Sequence, residues 1–246
     1  QGWDSPWDVL AMSNFNTITS IAVSPKNENV IFIGTDDGLI QVTENGGESW
    51  RKINVNALGV PGQSYVNDIK ADLYDENTLY VALDNHKEGD FRPFLVKSTD
   101  KGVSWTRIES GLGDKNLVWR IVQDHKEKNL LFTGTEFGVF VSVDGGSSWT
   151  EMNGGIPTIS FRDLAIQKRE DDLVAASFGR GFYILDDYSA LREVSRTQIN
   201  QEASLFTPRK AWWYIPRSVM SFDNTRGSQG SQLYVAPNPE FGATLT

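Results

Sequence analysis

Short apolar runs bounded by polar turns recur along most of this chain, and their order repeats. The first cycle reads Ile18-Thr19-Ser20-Ile21-Ala22-Val23, the turn Ser24-Pro25-Lys26-Asn27-Glu28-Asn29, then Val30-Ile31-Phe32-Ile33-Gly34-Thr35 and Leu39-Ile40-Gln41-Val42. Runs of this length, rich in β-branched and aromatic residues and punctuated by Gly, Asn and Asp, predict strands rather than helices. The cycle predicts four strands from Ile18 to Val55. It recurs from about Val66 to Glu109 and from Val118 to Asn153. A fourth copy runs through Phe161-Arg162-Asp163-Leu164-Ala165-Ile166, Leu173-Val174-Ala175-Ala176 and Phe182-Tyr183-Ile184-Leu185, and then departs from the pattern at Asp186-Asp187-Tyr188-Ser189-Ala190-Leu191. Its outer strand is therefore expected to be irregular or missing.

Each of the first three cycles ends on one turn pattern: a hydroxyl, any residue, Asp or Asn, any residue, Gly, two more, then Trp. Thr43, Asn45, Gly47 and Trp50 carry it first, Ser98, Asp100, Gly102 and Trp105 next, and Ser142, Asp144, Gly146 and Trp149 last. Hydroxyl and carboxylate oxygens can accept nearby backbone N–H groups, glycine takes the positive φ, and the Trp restarts a strand by packing inward. These twelve residues are read as structural. The tryptophans lie 55 and 44 residues apart, which suits a four-stranded propeller blade plus loops, and the longer interval should hold an insertion. The fold expected is all-β: a β-propeller with four-stranded antiparallel blades over residues 1–192 (blades at about 18–55, 66–109, 118–153 and 161–192). An irregular connector over 193–246 follows, leading toward a further domain. Four blades sit at the bottom of the propeller range, and Gln1-Gly2-Trp3-Asp4-Ser5-Pro6-Trp7 reads as the middle of a protein, so the expectation is part of a larger ring.

Composition narrows the partners. A formal net charge of −9 with no Lys/Arg run disfavours nucleic acid and anionic membrane surfaces, and no apolar stretch approaches the ~20 residues that span a bilayer. The absence of Cys removes disulfides, thiol catalysis and thiolate metal sites. His86 and His125, the two histidines, are not at ligand spacing, so no metal and no cofactor is expected; a Ca²⁺ site of loop oxygens has no loop signature behind it.

The ordered series of turns resembles the Asp-box (BNR) repeats of large bacterial propeller proteins of the glycosyl-hydrolase-like and sortilin-like kind. Further residues carry the resemblance: Gly34-Thr35-Asp36-Asp37-Gly38-Leu39, Asp90-Phe91-Arg92-Pro93-Phe94, Gly134-Thr135-Glu136-Phe137-Gly138-Val139, the stretch from Phe178 to Asp187, Leu205-Phe206-Thr207-Pro208-Arg209 and Ala236-Pro237-Asn238-Pro239. The resemblance implies an exported protein, extracellular, on the cell surface or periplasmic. It also implies a β-sandwich domain beyond Pro239. Within the connector, at least one of Trp212 and Trp213, which face opposite sides of a strand, is expected to pack on the propeller, with sugar stacking as the alternative, and 221–231 reads as a loop.

In a blade, the turns between strands two and three share one face with the blade-to-blade linkers. That face collects Asp36, Asp37, the inserted segment Asp84 to Pro93, Glu136 and Phe137, and Phe178-Gly179-Arg180, with Asn67 and Asp163 from the linkers. Ligand-binding candidates there are Tyr65, Asp84, His86, Phe91, Arg92, Trp119, Arg120, Arg162 and Arg180. Aromatic rings beside carboxylates suit a carbohydrate, and clustered arginines suit a carboxylated sugar or acidic peptide. Weak catalytic candidates are Asp36, Asp37, Asp90 and Glu136, since glycoside hydrolysis needs two carboxyls. Asp-Gly and Glu-x-Gly are also ordinary hairpin chemistry, and the arginines also read as partners of Asp163, Asp186 and Asp187. The preferred expectation is a non-catalytic module binding a glycan or an extracellular protein or peptide on this face. The alternative is a glycoside hydrolase acting on polysaccharide. Remaining blades or domains of the same polypeptide are the other expected partners.

Overall fold

The computed structural model describes residues 17–54, 59–194, 203, 205–207 and 210–211. The readings of the opening segment, of Trp212 and Trp213, of 221–231 and of 236–239 lie outside the described residues. The chain divides into two compact units, Gln1–Ser195 and Arg196–Thr246. In the second, the few described residues carry neither helix nor strand.

The first unit is four antiparallel β-meanders. Blade 1 orders β1 (Ile18–Val23), β2 (Ile31–Thr35), β3 (Leu39–Thr43) and β4 (Arg51–Asn54). Blade 2 orders β5 (Tyr65–Ala71), β6 (Leu79–Asn85), β7 (Asp90–Ser98) and β8 (Thr106–Arg107). In blade 3 the strands are β9 (Val118–Gln123), β10 (Leu131–Thr135), β11 (Val139–Ser142) and β12 (Thr150–Glu151). Blade 4 has three, β13 (Phe161–Gln167), β14 (Asp172–Ser177) and β15 (Phe182–Leu185), and the 3-10 helix Tyr188–Arg192 stands where the others place an outer strand. The chain is thus an all-β propeller arc, as its strand grammar implies. The extra residues of the second cycle lengthen the β6–β7 hairpin, which pairs out to Asn85 and Asp90 and is closed by the 3-10 turn His86–Glu88 and Gly89 at φ 79°.

The three repeated turns are built alike. Thr43, Ser98 and Ser142 donate their hydroxyls to Asn45, Asp100 and Asp144 at 2.7–2.8 Å and accept the N–H of Gly47, Gly102 and Gly146 at 2.8–2.9 Å. The Asn or Asp oxygen in turn accepts the N–H of Ser49, Ser104 or Ser148 at 2.8–3.0 Å, so Asn45 replaces aspartate without loss of the turn. Hydrogen bonds from Ser104 and Ser98 hold the Asp100 carboxyl down at about 2.

Blade stacking supplies the core. Val66 and Ile69 of β5 pack on Phe32, Ile40 and Val42 of blade 1, and Trp105 closes that layer. Val118, Ile121 and Trp149 of blade 3 pack on Tyr80, Ala82 and Leu95 of blade 2; Phe161 and Leu164 of blade 4 pack on Phe132 and Val139 of blade 3, with Tyr188 in the tryptophan's role. Polar staples follow the same register: Ser20 Oγ accepts the Ile69 N–H at 2.9 Å, and Asp68, buried, accepts the Ile121 N–H at 3.1 Å. Burial pushes the Asp68 carboxyl up, against the pull of Lys70 and Arg120.

One expectation needs correction. Trp50 does not pack inward; it is 40% exposed, and Ile18 and Ile21 of the same blade are exposed at 58% and 64%. These occupy the positions of Trp149, Val118 and Ile121, which are buried only because a preceding blade covers them. Among the described residues nothing precedes blade 1. At the other end of the arc Phe182 and Ile184 are likewise exposed.

Close approach between blades also fixes two glycines. A Cβ on Gly134 would sit 2.7 Å from the backbone oxygen of Phe161, and one on Gly34 2.3 Å from Val66 Cγ1. The first obstacle is main chain and cannot rotate away. Gly134→Ala should therefore cost about 1–3 kcal/mol, read as a lower urea midpoint at unchanged slope.

Candidate functional site

The innermost strand of every blade carries an irregularity at one place. Pairing jumps between Ile18 and Ser20, between Val66 and Asp68, between Val118 and Arg120, and between Phe161 and Asp163. One residue per blade is left over: Thr19, Asn67, Trp119 and Arg162. A bulge of this kind bends its strand and re-aims the extra side chain. All four extra residues line one hollow, so the bulge is the device that turns a repeated strand into a lining wall. Before the bulge the repeat keeps an apolar residue, Ile18, Val66, Val118 or Phe161, and two places after it Ile or Leu, whereas the bulge position reads Thr, Asn, Trp and Arg in turn.

Two hollows meet here. The first, of about 310 Å³, is walled by Phe91, Leu117, Trp119 and Phe137, with His86, Lys115, Glu136 and Arg162 at its polar side. The second, of about 420 Å³, holds the four bulge residues with Tyr65, Asp84, His86, Lys87 and Arg120. His86, Trp119 and Arg162 belong to both and form the partition.

The partition is tightly made. Trp119 donates its indole N–H to Glu136 Oε2 at 2.9 Å, the Arg162 guanidinium lies 3.5 Å from the Trp119 ring centroid, and Arg162 Nη2 stands 3.6 Å from Glu136 Oε2. Arg162 Nε donates to Ser160 Oγ at 2.8 Å and its far side is 5.3 Å from the Phe178 ring. In the second hollow Lys87 caps the Tyr65 ring at 5.3 Å. Burial, then the nearby Asp36 and Asp84, raise the Tyr65 phenol, which stays protonated at neutral pH. Asp84 is buried and accepts from His86 Nδ1 and, at 3.2 Å, from the His86 backbone N–H, fixing the ring edge-on to Trp119 at 6.0 Å. Arg120 reaches Asp68 at 3.1 Å and Asp163 at 3.0 Å.

The structure brings Tyr65, Asp84, His86, Phe91, Trp119, Arg120 and Arg162 to these hollows, from three blades. Arg92 is elsewhere, paired with Asp90 through bonds of 2.9 and 2.6 Å on the wall of a separate cavity, and Arg180 is exposed in the β14–β15 turn. Of the four carboxylates weighed for catalysis, Glu136 alone lines either hollow. Asp36 accepts the Thr17 N–H at 2.9 Å, Asp37 the Thr35 hydroxyl, and Asp90 is held below the usual carboxylate range by the Arg92 guanidinium. Among the described residues no three His, Asp or Glu side chains gather as metal ligands, and no helix is long and apolar enough to cross a membrane. Sequence reasoning missed Thr19, Lys115 and Leu117. Thr19 sits at the alignment column of Asn67, Trp119 and Arg162, so comparing that column across blades would have found it.

No family model and no curated protein matches this chain. Solved structures do. The GH74 enzyme of Niastella koreensis aligns over 70% of this chain and 29% of its own length at TM-score 0.56 and 16% identity. YCF48 bound to D1 peptide aligns over 70% and 52% at TM-score 0.51 and 15% identity. The extracellular domain of the putative one component system BT4673 from B. thetaiotaomicron aligns over 72% and 22% at TM-score 0.54 and 14% identity. This chain therefore spans about a fifth to a half of those proteins, and at such identities the shared property is the β-propeller fold.

Proposed function

We propose that this chain is a non-catalytic Asp-box β-propeller module of an exported protein, binding a glycan or an extracellular peptide across the hollowed face. One observation carries the reading: every blade spends a bulge at the same place, and the four residues so displaced differ in chemistry while sharing one hollow. Repeat grammar alone accounts for the turns but not for four unlike side chains converging. The fold likeness to an extracellular domain supports export. Hydrolysis finds less support, because a retaining site needs carboxyls ~5 Å apart and an inverting one ~6.5–9.5 Å in one pocket, whereas Glu136 lines the first hollow and is tied to Trp119 and Arg162, and Asp84 lines the second and is tied to His86. Further blades of the same polypeptide cover the apolar faces at Ile21 and Ile184, which are built like the three interblade faces within the arc.

Saturation-transfer NMR against a panel of oligosaccharides and extracellular-type peptides tests the reading, with Arg162→Ala as the reporter. The expected outcome is a ligand whose affinity falls at least about tenfold in the variant, with no release of reducing ends from any polysaccharide. Binding indifferent to Arg162 sinks the assignment of the face, and reducing ends released by a protein that Glu136→Gln inactivates restore the hydrolase.

A further inference from the structure

Trp119 is buried and carries Arg162 at 3.5 Å from its ring centroid, and Lys87 lies over one face of Tyr65 at 5.3 Å, so each of the two rings already shares a face with a cation. What remains open is different in kind. Phe91 and Phe137 are about half exposed and, with Leu117, make the apolar side of the first hollow. Lys115 flanks this apolar socket and Lys87 lines the adjoining hollow; both are exposed, and neither has an acidic partner among the described residues. The other charges are spoken for: Arg120 by Asp68 and Asp163, Arg162 and Glu136 by each other, His86 by Asp84. On a chain of net charge −9, one unpaired lysine beside the apolar socket and another on the adjoining hollow leave two positive charges open on this face.

We infer that the ligand of this face is an extended peptide segment carrying an apolar side chain flanked by carboxylates, the apolar group entering the Phe91–Phe137 socket and the carboxylates meeting Lys115 and Lys87. The inference rests on the reading of this face as a recognition site and chooses between its two ligand classes. Charge steering toward the lysines accelerates encounter and is screened by salt, whereas the socket sets the lifetime of the complex. The displaced residues Asn67 and Thr19 each donate to a carbonyl of the next blade, Val118 at 2.8 Å and Val66 at 2.7 Å, which fixes their side chains in the wall of the second hollow.

The test is an array of blocked octapeptides permuting Asp, Lys, Leu, Phe, Ser and Gly, run beside an oligosaccharide array on the same protein. Acidic–apolar peptides should be retained above all others, weakening as salt rises from 50 to 500 mM, by about tenfold or more. Lys87→Glu with Lys115→Glu should abolish that retention and favour the lysine-bearing peptides, and Phe137→Ser should lower retention at least about fivefold; all three positions are exposed, so the fold is kept. Retention of oligosaccharides but of no peptide, or of peptides irrespective of charge, overturns the inference and leaves the recognition face standing. Retention of neither class overturns both.

Discussion

Arg192→Ala is expected to destabilise the arc by about 3–5 kcal/mol, because it strips the counter-ion from a buried carboxylate. Arg192 comes from the 3-10 helix after blade 4 and reaches Asp124 of blade 3 at 2.8 and 2.9 Å, and Asp171 in the β13–β14 turn at 2.8 Å. Asp124 is fully buried, and Arg192 and Asp171 are mostly so. Burial alone would raise the Asp124 carboxyl. Hydrogen bonds from Arg192, the Tyr188 hydroxyl and the N–H groups of Lys126 and Glu127 outweigh it and hold the group down at about 2. Asp171 is held lower by Arg192 first and Lys126 after it. The sign follows from linkage: a depressed carboxylate contributes stability that is complete above its unfolded pKa of about 4 and is lost as pH falls through its folded value. The wild-type chain should therefore lose stability from pH ~4 to ~2 more steeply than Arg192→Ala, and the gap between the two should close across that window. Urea melts at pH 7, 4 and 2.5 measure it. A gap that stays constant with pH would mean that Arg192 contributes by packing on Tyr188, which it overlies at 5.2 Å, and not by charge.

The same cluster shows where sequence reading reaches its limit. The four cycles, their strand order and the loss of the fourth outer strand were legible, because each element is specified by local runs and by turns whose hydrogen bonds are internal. Asp36, Asp37 and Asp90 were weighed as chemistry and are found tied to Thr17, Thr35 and Arg92, within their own turns or the adjoining strand start. Arg120, read with the other arginines as a partner of Asp163, Asp186 and Asp187, holds Asp163 and also Asp68 of the preceding blade, a partner 52 residues away. The Asp124–Arg192 clasp spans 68 residues and has no local signature at all. The hollow lay between these extremes. Its face was legible from the alternation of turns, but Lys115 and Leu117 enter through an interblade linker whose path no run of residues specifies. The bulge that exposes Thr19, Asn67, Trp119 and Arg162 follows from backbone pairing between strands, which composition does not record.

Trp149→Ala and Trp50→Ala make the second large prediction, as a contrast. The two tryptophans end turns with the same hydrogen bonds, so any difference between the variants reports packing and not turn formation. Trp149 is 4% exposed, packs among Ile108, Leu112 and Phe140, and donates its indole N–H to the Ile108 carbonyl of blade 2 at 2.6 Å. Its removal leaves a cavity between blades and an orphaned carbonyl, a loss of about 3–5 kcal/mol. Among the described residues no blade covers Trp50, which is 40% exposed, and its removal should cost about 1 kcal/mol or less in this chain. Denaturation followed by circular dichroism gives the two free energies, and hydrogen exchange should show β12 and β8 opening together in Trp149→Ala because the tryptophan packs and hydrogen-bonds between the outer edges of their blades. The proposal that further blades of the polypeptide stand before blade 1 then acquires a number. With such a blade in place, Trp50→Ala must rise toward the cost of Trp149→Ala, and Ile21→Asp, harmless where the side chain is bathed in water, must become as damaging as Ile69→Asp or Ile121→Asp at the covered faces. If Trp50→Ala remains cheap in the longest natural form of the protein, blade 1 ends the arc and the apolar strip at Ile18, Ile21 and Trp50 serves some other contact.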